Sequence, residues 1–174
     1  MMRERMLVTY ASKYGATHEI AARIGETLKK TGWDVDVMPA DRVNGLEPYR
    51  AVVVGSAVYT GQWQKSAVVF LEKYEKQLSD LPVWLFSSGP TGEGDPVALL
   101  KGWRFPSAQQ ALVDRILPRD VAVFHGDLDT KKLNFAEKLI IKGVKAPTGD
   151  YRDWESIDRW AESIVETLKQ PLVL

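Results

Sequence analysis

Apolar residues along this chain fall into two alternating rhythms. Near-continuous apolar runs lie near residues 6 to 11, 51 to 55, 82 to 87 and 119 to 124. They are too short for helices and are bounded by turn-forming residues, so they predict strands. A fifth strand is expected near 33 to 38, where Asp34-Val35-Asp36-Val37 alternates as an edge strand does. Between the strands, apolar residues recur at helical spacing near 16 to 31, 64 to 78, 107 to 116, 131 to 145 and 154 to 169. In the first of these helices Ile20, Ala21, Ile24 and Leu28 form the stripe, with Glu19, Arg23, Glu26 and Lys30 on the wetter faces. In the last, Ile157, Ala161, Ile164 and Leu168 do the same, and Trp154 and Trp160 are expected to pack beside them. Strands that alternate with helical patterns predict an α/β fold: a doubly wound five-stranded parallel sheet of order 2-1-3-4-5 with helices on both faces. A length of 174 residues suits one domain over 1–174.

In such a sheet ligands bind beyond the carboxyl ends of the strands, where the winding direction reverses. That point falls at the ends of the first and third strands. The first strand runs into Ser12-Lys13-Tyr14-Gly15-Ala16-Thr17 and directly into a helix. The first amides of a helix lack partners within it and carry partial positive charge, so a phosphate fits there. Ser12 and Thr17 add hydroxyls, Lys13 a charge, and Gly15 close backbone approach. The loop has neither the G-x-x-x-x-G-K-S/T nor the G-x-G-x-x-G spacing, which favours a terminal monophosphate over ATP or NAD. An ordinary strand-to-helix turn with Thr17 as N-cap fits the same residues. The third and fourth strands end in Gly55-Ser56-Ala57-Val58-Tyr59-Thr60-Gly61-Gln62-Trp63 and Ser87-Ser88-Gly89-Pro90-Thr91-Gly92-Glu93-Gly94. These small-residue loops suit a flat aromatic ligand, with Tyr59 against a ring face and Trp63 packing at the start of the next helix.

Charge and composition narrow the chemistry. Lys plus Arg and Asp plus Glu both number 23, so no global charge recruits nucleic acid, and no arginine-rich strand face interleaves with the six tryptophans. Cysteine is absent, which excludes disulfides and thiolate metal or iron–sulfur ligation by this chain and suits a cytoplasmic protein. The apolar run after Met1-Met2-Arg3-Glu4-Arg5 is too short for a signal peptide, and no run approaches the ~18 apolar residues of a membrane span. His18 reads as a surface residue and His125 as a loop histidine at a strand end. Asp127, Asp129, Asp150 and Asp153 read as turn and cap residues. The helix expected over 131–145 sets Leu133, Ala136, Leu139, Ile140 and Val144 among Lys131, Lys132, Lys138, Lys142 and Lys145. That pattern suits either packing on its own sheet or rest on anionic lipid or a partner.

The loop Ser12 to Thr17 and the segment Gly55-Ser56-Ala57-Val58-Tyr59, at this spacing, resemble the flavodoxin-like family. Together with Asp150-Tyr151-Arg152-Asp153-Trp154-Glu155, they are most similar to its branch of menaquinone-dependent protoporphyrinogen oxidases. The resemblance implies an FMN cofactor. Its phosphate would lie on Ser12, Lys13, Tyr14, Gly15, Ala16 and Thr17. Its ring would lie between Ser56, Ala57, Val58, Tyr59, Thr60 and Gly61 on one side and Ser87, Ser88, Gly89, Pro90, Thr91 and Gly92 on the other. It further implies hydride transfer to the flavin from a small-molecule donor, protoporphyrinogen IX in that branch, with a quinone or redox-protein acceptor and no catalytic side chain.

Two departures qualify the transfer. Tyr14 stands where flavodoxins usually carry another Ser or Thr, and Gly92 to Trp103 lacks the basic, polar character of the oxidase branch. Electron-carrier flavodoxins are strongly acidic, whereas this chain is neutral with a pI near 6.7, which disfavours a dedicated shuttle. A carrier without its own substrate and an NAD(P)H-dependent quinone reductase stay as alternatives, and a homo-oligomer is compatible with either. A receiver module is disfavoured, because Thr9-Tyr10-Ala11-Ser12 offers no acidic cluster after the first strand. A quinone partner would suit a peripheral position on the inner face of the membrane, through 131–145.

Overall fold

The structure is a computed structural model that describes residues 3–170; the ends of the domain expected over 1–174, Met1-Met2 and residues 171–174, lie outside the described residues. In chain order the elements are β1 (Arg5–Ala11), α1 (Ala16–Lys30), β2 (Asp34–Pro39), β3 (Ala51–Tyr59), β4 (Gln62–Trp63), α2 (Lys65–Lys73), α3 (Glu75–Ser79) and β5 (Val83–Ser88). There follow α4 (Pro96–Leu99), α5 (Gln110–Ile116), β6 (Asp120–Phe124), β7 (Asp127–Leu128), α6 (Phe135–Val144), β8 (Gly149–Asp150) and α7 (Trp154–Lys169).

The long strands pair in parallel in the order β2-β1-β3-β5-β6, the expected 2-1-3-4-5 arrangement, with the short β4 returning antiparallel onto β3. Both faces are covered, which is why the central strands read as unbroken apolar runs. Leu7, Val52, Val54, Val83 and Leu85 face the layer made by α2, α3 and α5. Their neighbours Met6, Val8, Val53, Trp84 and Phe86 face α1 and α7. Ile20, Ile24 and Leu28 are fully buried, each contributing about 1.5–3 kcal/mol relative to exposure. At the wet edge Asp36 on β2 accepts from Arg5 at 2.6 Å and from the Tyr49 hydroxyl at 2.7 Å. Burial, then the bond to Asp36, pushes the Tyr49 phenol up to about 12.

Three helices differ from the sequence expectation. The helix expected over 64–78 is two, α2 and α3, broken at Tyr74, whose backbone leaves the helical region (φ −107, ψ 13). Its hydroxyl donates to the Val43 carbonyl at 3.1 Å, which holds the buried ring across the layer. The segment expected over 107–116 starts as a 3-10 turn, Ser107–Gln109. The helix expected over 131–145 begins only at Phe135, because Asn134 and Glu137 close a reciprocal capping box there.

α1 and α7 are joined by a charged clasp. Arg23 donates to Asp158 at 2.8 and 2.6 Å and Thr27 donates to it at 2.8 Å. The Arg23 hydrogen bond holds the Asp158 carboxyl at about 2, below its ordinary 3.8. A depressed folded value means that this stabilisation is complete above the unfolded value and is lost as pH falls. In acid titration of stability, the advantage of the native protein over Asp158→Asn is therefore expected to shrink from about pH 4 downward and vanish below about pH 2. A pH-independent difference would show that the clasp does not depend on the charge.

Candidate functional site

The loops after β1, β3 and β5 converge at the carboxyl edge of the sheet around a cavity of about 650 Å³, within the roughly 300–1,000 Å³ range of small-molecule sites. Of the residues expected there, Ser12, Lys13, Tyr14, Ala16, Thr17, Ala57, Val58, Tyr59, Thr60, Ser88, Gly89, Pro90 and Thr91 line it. Gly15, Ser56, Gly61, Ser87 and Gly92 do not.

The first loop is shaped by Gly15. It is the residue that caps α1, in the left-handed region at φ +95, and its amide donates to Ser12 Oγ at 2.9 Å. Glycine takes this conformation without the Cβ penalty. Thr17, the alternative cap, instead lies inside the helix, 2% exposed, with its hydroxyl 3.5 Å from Ser88 Oγ. The α1 amides therefore open on the cavity without a side-chain cap over them. The Tyr14 hydroxyl is buried and without a hydrogen-bond partner among the described residues, a donor left for something absent from the protein itself. Lys13 Nζ sits 3.4 Å from the Tyr59 ring centroid and 3.3 Å from Glu137, so one face of Tyr59 is already covered by an ammonium.

The serines at the strand ends divide by role. Ser56 is fully buried, accepting from the Gln64 amide and donating to the Ala57 carbonyl, both at 2.9 Å. Ser87, also fully buried, accepts from Trp63 Nε1 at 2.9 Å and donates to the Arg104 carbonyl at 2.6 Å. Both hydroxyls anchor loops, and Trp63 packs as expected. Backbone closeness is enforced deeper in: a Cβ on Gly89 would lie 2.9 Å from the Val58 carbonyl, and one on Gly126 would lie 2.8 Å from Gly89 Cα.

The two histidines stay outside the lining. His18 is exposed and stacks on Tyr10 at 4.9 Å. His125 places Nδ1 3.1 Å from the Pro90 carbonyl and Nε2 2.7 Å from the Gly94 carbonyl, tying down the loop after β5. Asp129 and Asp153 cap the turn at Thr130–Lys132 and helix α7, as their turn-like surroundings suggest.

Sequence reasoning missed two parts of the site. Arg152, with a side chain 7% exposed, donates to Asp150 at 2.8 and 2.9 Å, pairs with Glu19, lies 3.6 Å from Asp127 and stacks over Trp154. The Asp150 bond raises its pKa further, keeping it charged. It fastens the antiparallel pair β7–β8 to the start of α1, and the density of acids around one arginine in the Asp150–Asp153 turn was its only signal. The second is an apolar hood: Leu99 and Leu100 at the end of α4, and Ile140, Ile141 and Val144 on α6, wall the cavity beyond the loops. The Asn134-x-x-Glu137 spacing is a signal that would have moved the expected start of that helix from 131 to 135, but it does not show where the helix packs.

The flavodoxin domain family matches residues 7–155. The chain belongs to that family. Family membership makes FMN the cofactor, and the uncapped α1 amides, the partnerless Tyr14 hydroxyl and the cavity's size fit a phosphorylated flat ligand. The chain is 24% identical to the Escherichia coli (strain K12) protein named Protoporphyrinogen IX dehydrogenase (quinone), over 96% of this chain and 98% of that one. Among solved structures it resembles a flavodoxin from the domain Archaea, with TM-score 0.59, 16% identity and coverage of 95% and 99% of the two chains. It also resembles the rubredoxin oxygen:oxidoreductase of the anaerobe Desulfovibrio gigas, with TM-score 0.61, 15% identity and coverage of 99% of this chain and 38% of that one. At these identities the solved structures establish the fold. Among the described residues no helix is long and apolar enough to cross a membrane.

Proposed function

We propose that this protein is an FMN-dependent oxidoreductase that oxidises a largely apolar donor of the protoporphyrinogen type and passes the electrons to a quinone. The observation that carries the reading is the apolar hood of Leu99, Leu100, Ile140, Ile141 and Val144. It encloses room beside the flavin loops, which suits a substrate and which an electron carrier does not need. The full-length likeness to a quinone-linked dehydrogenase supports it.

Bound FMN would supply hydride acceptance and stepwise electron release. The protein's residues do the rest. The α1 amides and the Ser12, Tyr14 and Thr17 hydroxyls would hold the phosphate, with Gly15 shaping the turn and Ala16 opening the helix, and Lys13 would join them by turning from Tyr59 and Glu137. Ala57, Val58 and Gly89 bring backbone groups to the ring. Tyr59, Thr60, Ser88, Pro90 and Thr91, which line the same cavity, would border the ring. Ser56, Gly61, Ser87 and Gly92 support these loops from outside the lining. The hood would give the donor an apolar wall.

Tyr59→Ala is expected to weaken FMN binding about tenfold, because an aromatic stack contributes about 1–1.5 kcal/mol and 1.4 kcal/mol is one decade. Flavin fluorescence titration measures it, and unchanged affinity and emission would remove Tyr59 from the ring site. The reading as a whole is tested by absorbance of the FMN-loaded protein under anaerobic addition of protoporphyrinogen IX and then a quinone. Flavin bands that bleach with the donor and return with the quinone support it. Bands that ignore the donor but bleach with NAD(P)H would replace it with a quinone reductase, and bands that respond to neither would leave an electron carrier.

A further inference from the structure

α6 presents two different apolar surfaces. Residues four apart share a helix face: Ile140 and Val144, with Ile141 beside them, line the mouth of the cavity, where Ile140 and Val144 are 45% and 66% exposed. Phe135 and Leu139 stand on the outer side, 78% and 55% exposed, and no residue of α6 is buried. A ten-residue helix that leaves a phenylalanine and a leucine in water has no stabilising reason to do so alone.

Its charge identifies what covers it. Residues 130–149 hold five lysines against a single acid, Glu137, and Glu137 is engaged by Lys13 and by the α6 capping box. Lys138, Lys142 and Lys145, with Thr130 and Thr148, line a groove of about 540 Å³ beside the helix. In a chain of zero formal net charge, this is a local cationic surface bearing apolar side chains. Lysines flanking exposed Phe and Leu on a short helix make the pattern of an in-plane interfacial helix.

We infer that the outer face of α6 docks on an anionic lipid bilayer, with Phe135 and Leu139 entering the headgroup–acyl boundary and Lys138, Lys142 and Lys145 meeting headgroup phosphates. The cavity hood is the other side of the same helix, so docking sets the cavity beside the phase that holds apolar redox partners. The inference rests on the quinone reading for its purpose, but its test reads lipid binding alone, so either can fail without the other.

The test is co-sedimentation of FMN-loaded protein with vesicles of phosphatidylglycerol and phosphatidylcholine, against phosphatidylcholine alone. Binding is expected to the anionic vesicles, weakening at least tenfold in raised salt, and surviving millimolar inorganic phosphate. The pairs Lys138→Glu/Lys142→Glu and Phe135→Ser/Leu139→Ser should each lose at least tenfold in vesicle affinity while retaining FMN. These four side chains lie outside the cavity lining. Absence of vesicle binding, equal binding to neutral vesicles, displacement by free phosphate, or full binding by either double variant would overturn the inference. Capture of a soluble protein by this face without vesicle binding would reassign it.

Discussion

Ala16→Glu is expected to lower FMN affinity roughly 100-fold or more while leaving the apo protein at least as stable as the native chain. Ala16 is the first residue of α1 and lines the cavity beside Ser12, Lys13 and Thr17. A carboxylate there meets the same unpaired amides that the phosphate needs. Two unit charges a few ångströms apart repel by roughly 4 kcal/mol at an effective dielectric near 20, and screening at a partly open site reduces this toward the ~3 kcal/mol of two decades. The same carboxylate complements the dipole of α1, about 0.3–1 kcal/mol in favour of the fold. Binding and stability should thus move in opposite directions, which a merely damaged loop would not produce. Fluorescence titration with FMN and with riboflavin, alongside thermal unfolding of the apo protein, reads both. Riboflavin has no phosphate, so its affinity should fall much less. Equal losses for the two ligands, or unchanged FMN affinity, would move the phosphate away from α1.

Much of this site was legible because it depends on local chain chemistry. An apolar run buried on both faces, a glycine turn and an amphipathic helix each write a periodicity into neighbouring residues, so β1, the Ser12–Thr17 loop and α1 could be read directly. Five strands in alternation with helices then set which loops meet. What could not be read depends on partners distant in sequence. Ser56 and Ser87 look like ligand donors at strand ends, yet their hydroxyls are bonded to Gln64, Trp63 and Arg104. Arg152 acts through Glu19, 133 residues away. Tyr74 interrupts a periodic helix where its hydroxyl is bonded to Val43, 31 residues away. The basic helix was legible as amphipathic, but only the fold shows that its apolar positions serve two faces, one lining the cavity and one clear of it.

Gly55→Ala should be among the most destabilising single-methyl changes available in this chain, costing about 3 kcal/mol, the upper end of overpacking. Gly55 and Phe86 are register partners on the central strands β3 and β5. A Cβ at position 55 would fall 1.9, 2.2 and 2.4 Å from atoms of the Phe86 ring. The ring has nowhere to retreat. It is fully buried, with Phe124 at 5.7 Å and Trp160 at 6.1 Å between centroids. At roughly 2–4 °C per kcal/mol for a chain of this size, the melting temperature should fall by about 6–12 °C. The loss should carry into the site, because the same strand continues through Ser56 to Tyr59 and sets where Ala57 pairs with Ser88 and Val58 meets Gly89. A double-mutant cycle with Phe86→Leu isolates the cause. If the clash is the mechanism, the smaller side chain relieves it, and Gly55→Ala costs at least ~1 kcal/mol less in the Phe86→Leu background than in the native one. Strict additivity would mean that position 55 is glycine for the sake of the backbone and not of the ring laid across it.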